Sequence, residues 1–350
     1  MNGKQFSNVF DRTCDNVNTV IHGKEDVVRL AMIAICANGH VLFEDVPGVG
    51  KSMLARALAQ SMQAETARVQ CTPDMLPGDI TGSSIIETKT MQFTFRRGPV
   101  FTNILLVDEI NRATPKTQSA LLESMAERNV TVEGTTHPLP NPFLVLATQN
   151  PVELAGTFPL PEAQLDRFLL KLQMGYPSIE AERLVVTGNA SSLEVEGLGA
   201  VTSTSEILEM QQYSASVELP APVLTYILEV VAATRDEAAL LLGASPRASI
   251  SLARAAKVVA AADGRETVYP DDVQALLRPI LGHRMLLTPD AVLRGVTIDD
   301  VLERVAARVK PPLGISTGGG ISPSAEANGE TDSTTARSRR QRRPVGARRN

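Results

Sequence analysis

Tryptophan is absent from this 350-residue chain and aromatics make up only 4%, so any core must rest chiefly on Leu, Val, Ile and Ala. That composition favours helix-rich packing, and a hydrophobic content of 43% is enough for a real core. Cysteines are few: Cys14, Cys36 and Cys71 are odd in number and lack C-x-x-C spacing. This argues against a disulfide framework or a zinc site and fits a reducing cytosol. No apolar run approaches the roughly 18 residues of a spanning helix, and the opening MNGKQFSNVFDRTCDNVN has no apolar segment behind its lysine. A cytoplasmic protein without integral membrane contact is expected. Acids are missing from the C-terminal stretch that holds Arg337, Arg339, Arg340, Arg342, Arg343, Arg348 and Arg349, so the body is more acidic than the net charge of -5. The length allows about two domains with a tail left over.

What is present centres on DVPGVGKS, Asp45 to Ser52, between the apolar run HVLF and the helix-favouring MLARALAQSM. A strand that enters a glycine-punctuated loop and then a helix brings backbone N–H groups to converge on an anion. Within the loop of Pro47, Gly48, Val49, Gly50, Lys51 and Ser52, the glycines permit close approach, Lys51 offers a point charge to β and γ phosphates, and Ser52 offers a hydroxyl to Mg²⁺. The expected cofactors are ATP and Mg²⁺. The strict pattern G-x-x-x-x-G-K-[ST] has glycine where this chain has Asp45. A plain strand-to-helix turn is the simpler reading of the glycines taken alone.

Around this loop the elements alternate along the chain. Residues 5 to 20 predict a leading helix, and a second one carries Val27, Leu30, Ala31, Ala34 and Ile35 on one core-facing side. ARVQC (67 to 71), ILLVDE (104 to 109) and FLVLATQN (143 to 150) join HVLF as four strand candidates separated by helices, which implies a doubly wound α/β domain with a parallel sheet. Hairpin insertions are expected near 83–97 and 130–138. From about Tyr176-Pro177 the pattern turns helical, and beyond Pro311-Pro312 it becomes Gly, Ser, Thr and Arg without apolar periodicity. The expected domains are thus 1–176, an all-helical 177–310, and a disordered tail, 311–350. The tail reads as a solvated extension, with an anionic partner as the other reading.

Asp108 and Glu109 end an apolar strand, the sheet edge where open α/β folds bind ligands. There Asp108 can hold Mg²⁺ and Glu109 can activate water against a γ-phosphate. Asn150 ends the next strand and would read the third phosphate if the two strands are neighbours; a turn residue before Pro151 is the alternative. Arg112 is a candidate for phosphate or interface contact, with a plain surface charge as the other reading. His40, His137 and His283 lack ligand spacing and read as structural.

DVPGVGKS, ILLVDEINRATPKTQSALLESM, LATQNP, PLPEAQLDRF and GASPRA together resemble the MoxR family of AAA+ ATPases over roughly residues 20 to 310. The resemblance implies a P-loop core with a C-terminal helical lid. It implies Lys51 as Walker A lysine, Asp108 and Glu109 as Walker B pair, Asn150 as first sensor, Arg247 as second sensor and Arg167 as an arginine finger. Ile21 and Gly23 would lie near adenine. It further implies ring-forming hexamers and chaperone work on a protein client, alongside a partner with a von Willebrand factor A domain. Arg247 comes after Ser245-Pro246 in a helix's first turn, where the dipole disfavours a cation unless an anion comes near. Whether Arg167 acts in its own subunit or a neighbour's is open from sequence. A nucleotide-gated binding module with incidental turnover is an alternative. A nucleic-acid motor is a lesser one, because the hairpin residues Lys89, Arg96 and Arg97 sit on an acidic body and no specific nucleic acid is expected.

Overall fold

A computed structural model describes residues 1–45, 48–87, 91–150, 156–179, 182–183 and 195–312. Pro47, Lys89 and the arginine-rich tail lie outside the described residues. Two helices lead the chain. α1 (Gly3–Asn18) is closed at its start by a capping box between Asn2 and Gln5, and α2 (Glu25–Cys36) carries Glu25 and Asp26 in its first turn, where the helix dipole favours acids. Then come β1 (Val41–Glu44), α3 (Lys51–Ser61), β2 (Thr66–Gln70), α4 (Pro77–Thr81) and a hairpin of β3 (Gly82–Glu87) with β4 (Gln92–Arg97). β5 (Ile104–Asp108), α5 (Pro115–Glu127), a second hairpin of β6 (Asn129–Val132) with β7 (Thr135–Pro138), and β8 (Leu144–Gln149) come next. The short α6 (Glu162–Leu165) leads into β9 (Leu170–Leu172).

These strands form a five-stranded sheet in the order β2-β5-β8-β1-β9, with every pairing parallel. Both faces are covered, and the strands show why they read as near-continuous apolar runs. Val41, Phe43, Ile104, Leu106, Leu144 and Leu146 point into one cluster with α1, α2 and α3; Leu42, Leu105, Val107, Val145 and Ala147 point into another with Leu121 and Met125 of α5. Each fully buried Leu or Val there contributes about 1.5–3 kcal/mol. The fifth strand, β9, carries only three residues, Leu-Lys-Leu, too few to register as a strand in a sequence pattern. It exists because Val41 to Phe43 offer it a free edge to pair with.

Both expected hairpins form, and they dock on each other: Ser84 Oγ donates to Glu133 Oε2 at 3.0 Å, and the Phe95 ring stacks on His137 at 4.2 Å between centroids.

Beyond residue 195 the chain is mostly helical: α7 (Thr204–Ser216), α8 (Ala221–Arg235), α9 (Pro246–Ala262), α10 (Pro270–Gln274), α11 (Leu277–Leu281), α12 (Pro289–Leu293) and α13 (Ile298–Arg308). A small antiparallel pair, β10 (Leu240–Leu242) and β11 (Leu286–Leu287), interrupts them. α1 and α2 pack against α7 and α9, so Phe6, Phe10, Met32 and Ile33 share one apolar cluster with Ile207, Met210, Leu252 and Ala256. This corrects the one-sided burial expected of the second helix. From Ala31 to Cys36 every residue is buried, because the sheet lies on one side and the later helices on the other. Alanine does the close packing in α9, where Ala255, Ala256, Ala260 and Ala261 are all buried.

Candidate functional site

Three neighbouring parallel strands, β5, β8 and β1, end at the same sheet edge, and the site is built from their last residues and the loops that leave them. After β1, Gly48 (φ +85°) and Gly50 (φ +94°) take left-handed conformations that a side chain resists, and Gly50 caps α3 without any side-chain hydrogen bond. The amides of an α-helix's first turn point out of its start, a setting that suits an anion. Lys51 is the first residue of that helix and is 8% exposed, its Nζ donating to the Asp45 carbonyl oxygen at 3.4 Å. Burial lowers the Lys51 ammonium pKa, and the carboxylates of Asp45, Asp108 and Glu109 oppose that shift.

Asp45, the departure from the strict loop pattern, has a structural job. Its Oδ2 accepts from the backbone N–H of Met174 at 2.6 Å and of Gly175 at 2.8 Å, while its own N–H donates to the Gln149 carbonyl at 3.1 Å. The phosphate-type loop is thereby tied to the chain leaving β9.

Asp108 ends β5 and Glu109 comes after it with φ +56°, an uncommon conformation for Glu that is held by its N–H donating to Thr148 Oγ1 at 2.9 Å. The Thr148 hydroxyl also reaches Asp108 Oδ1 at 3.4 Å. Because β8 pairs directly with β5, with Val107 opposite Ala147, Asn150 emerges beside this acidic pair, as the neighbouring-strand condition required. Basic and amide side chains meet the acids. Arg68 and Gln70 of β2 reach Asp108 and Glu109 at 2.7 and 3.0 Å, Arg112 reaches Glu109 Oε2 at 3.0 Å, and Lys51 stands opposite. Arg112 is thus an ion-pair partner of Glu109.

A cavity of about 380 Å³ joins these parts, lined among others by Gly48, Gly50, Lys51, Ser52, Asp108, Glu109 and Asn150. Arg56, Arg68, Gln70 and Thr148 also line it and were not singled out by sequence reasoning. For Arg68 and Gln70 a signal existed: they alternate on a strand that ends at the same edge as the acids. Val49 is partly buried against the main apolar cluster. Ile21 is buried at 5% in that cluster, and Gly23 takes φ +68°; neither lines the cavity.

Nor do Arg167 and Arg247. Arg167, just after α6, borders a second cavity of about 640 Å³ with Glu123, Glu127 and Gln164. Arg247 is exposed in the first turn of α9, whose cap Ser245 donates its hydroxyl to Asp166 Oδ2 at 2.8 Å. Asp166 also accepts from Nε of the buried Arg284 at 2.8 Å. His283 and His40 are buried neutral rings with backbone partners, as structural histidines should be. Among the described residues no group of three or more His, Cys, Asp or Glu could hold a metal by itself, and no helix is long and apolar enough to cross a membrane. Cys14, Cys36 and Cys71 are free and buried.

Comparison with known proteins gives the same outline. Residues 40–170 match the model of the ATPase family associated with various cellular activities (AAA), and residues 232–305 match an AAA lid domain. The uncharacterised protein YeaC of Bacillus subtilis is 48% identical over 86% of this chain and 94% of its own length. Chaperone MoxR1 of Mycobacterium tuberculosis is 40% identical over 86% of this chain and 82% of its own. Protein MoxR of Paracoccus denitrificans is 31% identical over 78% and 87%. Among solved structures, one from Cytophaga hutchinsonii, described as a candidate ATPase, superposes with a TM-score of 0.83 at 38% identity, covering 89% of this chain and 97% of its own.

Proposed function

Because the chain belongs to the MoxR family of AAA+ ATPases, we propose that it hydrolyses ATP within a homo-oligomeric ring, a hexamer, and uses the resulting motion to remodel or mature a client protein. The observation that carries this reading is the meeting of Lys51, the Asp108–Glu109 pair and Asn150 around one cavity at the carboxyl edge of β1, β5 and β8. Ser52 and Asp108 bring oxygen donors alone, which suits a hard cation such as Mg²⁺ shared with phosphates. When bound, Mg²⁺ and ATP supply the reactive anhydride and its charge neutralisation. The chain's own residues do the rest. The loop of Gly48 and Gly50 and the N-terminus of α3 would hold phosphate oxygens, and Lys51 would neutralise the β and γ positions. Glu109, with its carboxylate fixed by Gln70 and Arg112, takes the proton of the attacking water, and Asn150 orients that water.

Arg167, which borders the second cavity and does not line the one holding Lys51, acts on a neighbouring copy's nucleotide, and Arg247 acts from the lid. Residues 1–176 are the ATPase core, 177–310 the lid and 311–350 the tail, with Ile21 and Gly23 near the adenine. The β3–β4 hairpin exposes Ile86, Met91 and Phe93 at 51, 76 and 68%, an apolar ridge suited to a client chain. The mycobacterial relative is named a chaperone, which favours a protein client. A partner with a von Willebrand factor A domain and a cytoplasmic setting complete the proposal.

The test is steady-state ATP turnover beside equilibrium nucleotide binding. Glu109→Gln is expected to lose about 100-fold or more in turnover while still binding nucleotide, and Lys51→Ala to lose binding itself. Normal turnover by Glu109→Gln removes the water-activating role.

A further inference from the structure

Arg68 and Gln70 stand two residues apart on β2, so both side chains leave the same face of the strand. The register that sets Arg68 opposite Leu106 and Gln70 opposite Asp108 aims them at the end of β5. Nε of Arg68 donates to Oδ2 of Asp108 at 2.7 Å, and its terminal nitrogen donates to Oε1 of Gln70 at 3.3 Å. The two partners differ in freedom. The Asp108 side chain is 11% exposed and held on its other oxygen by Thr148, whereas that of Arg68 is 56% exposed on a strand at the edge of the sheet. The carboxylate is fixed and the guanidinium can swing.

A guanidinium and a divalent cation are rival partners for one carboxylate, because each draws on the same oxygen lone pairs. We propose that Arg68 is a positioning residue that serves as an internal counter-ion of Asp108, competing with Mg²⁺ for that carboxylate and so setting the magnesium concentration at which nucleotide binds productively. This inference rests on the assignment of Asp108 to the cation in the proposed function. Arg68 from β2 and Thr148 from β8 each hold one oxygen of Asp108, and Arg68 leaves when the cation arrives. Its half-exposed position keeps the bond weak enough to yield: an ion pair of this kind alters a competing equilibrium only a few-fold.

The experiment titrates Mg²⁺ into the full chain with a fluorescent, non-hydrolysable ATP analogue, for wild type, Arg68→Gln and Arg68→Lys, with binding in EDTA measured alongside. Arg68→Gln is expected to lower the half-saturating Mg²⁺ concentration by about two- to fivefold and to bind the analogue in EDTA no more weakly than wild type. Arg68→Lys, which keeps the charge but loses the planar fork, is expected to fall between them, and it serves as the second variant if Arg68→Gln does not fold. An unchanged or higher magnesium requirement in the neutral variant overturns the proposal. Weaker binding in EDTA overturns it too, since Arg68 would then be holding phosphate. A wild-type chain that binds no analogue even in excess Mg²⁺ removes the site reading, and this inference falls with it.

Discussion

At the scale of single residues, Asp45 shows how a departure from a sequence pattern can be a fastening. The residue is 9% exposed and its carboxylate accepts two backbone N–H bonds, so truncation would leave the amides of Met174 and Gly175 without that partner. Asp45→Ala is expected to cost about 2–3 kcal/mol, read as a lower midpoint in urea with unchanged slope. His40 illustrates the electrostatic side. Its Nδ1 accepts from Val145 N–H at 3.0 Å and its Nε2 lies 3.2 Å from the Met125 carbonyl, so the neutral ring protonated on Nε2 satisfies both. Burial first, and then the nearby Arg128 cation, push its pKa down from 6.5 to about 3. Between those values the unfolded chain takes up a proton that the folded chain refuses, so stability is full above pH 6.5 and is lost as pH falls toward 3. The slope from one such group is about 1.4 kcal/mol per pH unit at most. In urea melts between about pH 6 and 4, His40→Gln is expected to flatten the dependence by roughly 1 kcal/mol per unit; an unchanged slope would assign the acid sensitivity elsewhere, with the similarly buried His283 first in line.

At the scale of elements, the loops after β1, β5 and β8 were legible because each strand is a pure apolar run with a chemically loaded end. The lysine, both acids and the asparagine could be read from spacing, and strand order then brought them together. What was not legible depends on partners far along the chain. Nothing in Leu170–Leu172 announces a strand until β1 offers an edge, and although alternation places Arg68 and Gln70 on one face, their bonds to Asp108 and Glu109 depend on β2 lying beside β5. The same holds for the latch between α6 and the later helices. Asp166 accepts from both Ser245, the cap of α9, and Arg284, whose side chain is 2% exposed and also donates to the Phe168 and Leu169 carbonyls. One carboxylate therefore joins the segment carrying Arg167 to the helix carrying Arg247. Arg284→Ala, which leaves Asp166 without its cation and the Leu169 carbonyl without that donor, is expected to cost about 3–5 kcal/mol. Ser245→Ala, which removes a cap, should cost about 1 kcal/mol. Thermal melts of the two variants check the order, and equal effects would contradict the latch.

At the scale of the whole molecule, the cavity at the sheet edge is half of the proposed site. Lys51, Ser52, Asp108, Glu109 and Asn150 line it, whereas Arg167 borders a different cavity beside Glu123 and Glu127. A residue outside its own chain's cavity is useful when another copy presents one, and on this the proposed ring depends. Complementation tests it most directly. Glu109→Gln keeps Arg167 and loses the proposed base, while Arg167→Ala keeps Glu109 and loses the proposed finger, and each alone is expected to be nearly inactive. Mixed in equal amounts under conditions that let rings re-form, they should recover a substantial fraction of wild-type ATP turnover, because some Arg167→Ala sites gain an intact arginine from a neighbouring Glu109→Gln subunit. A mixture no more active than the sum of the two variants would contradict a site shared between neighbouring copies.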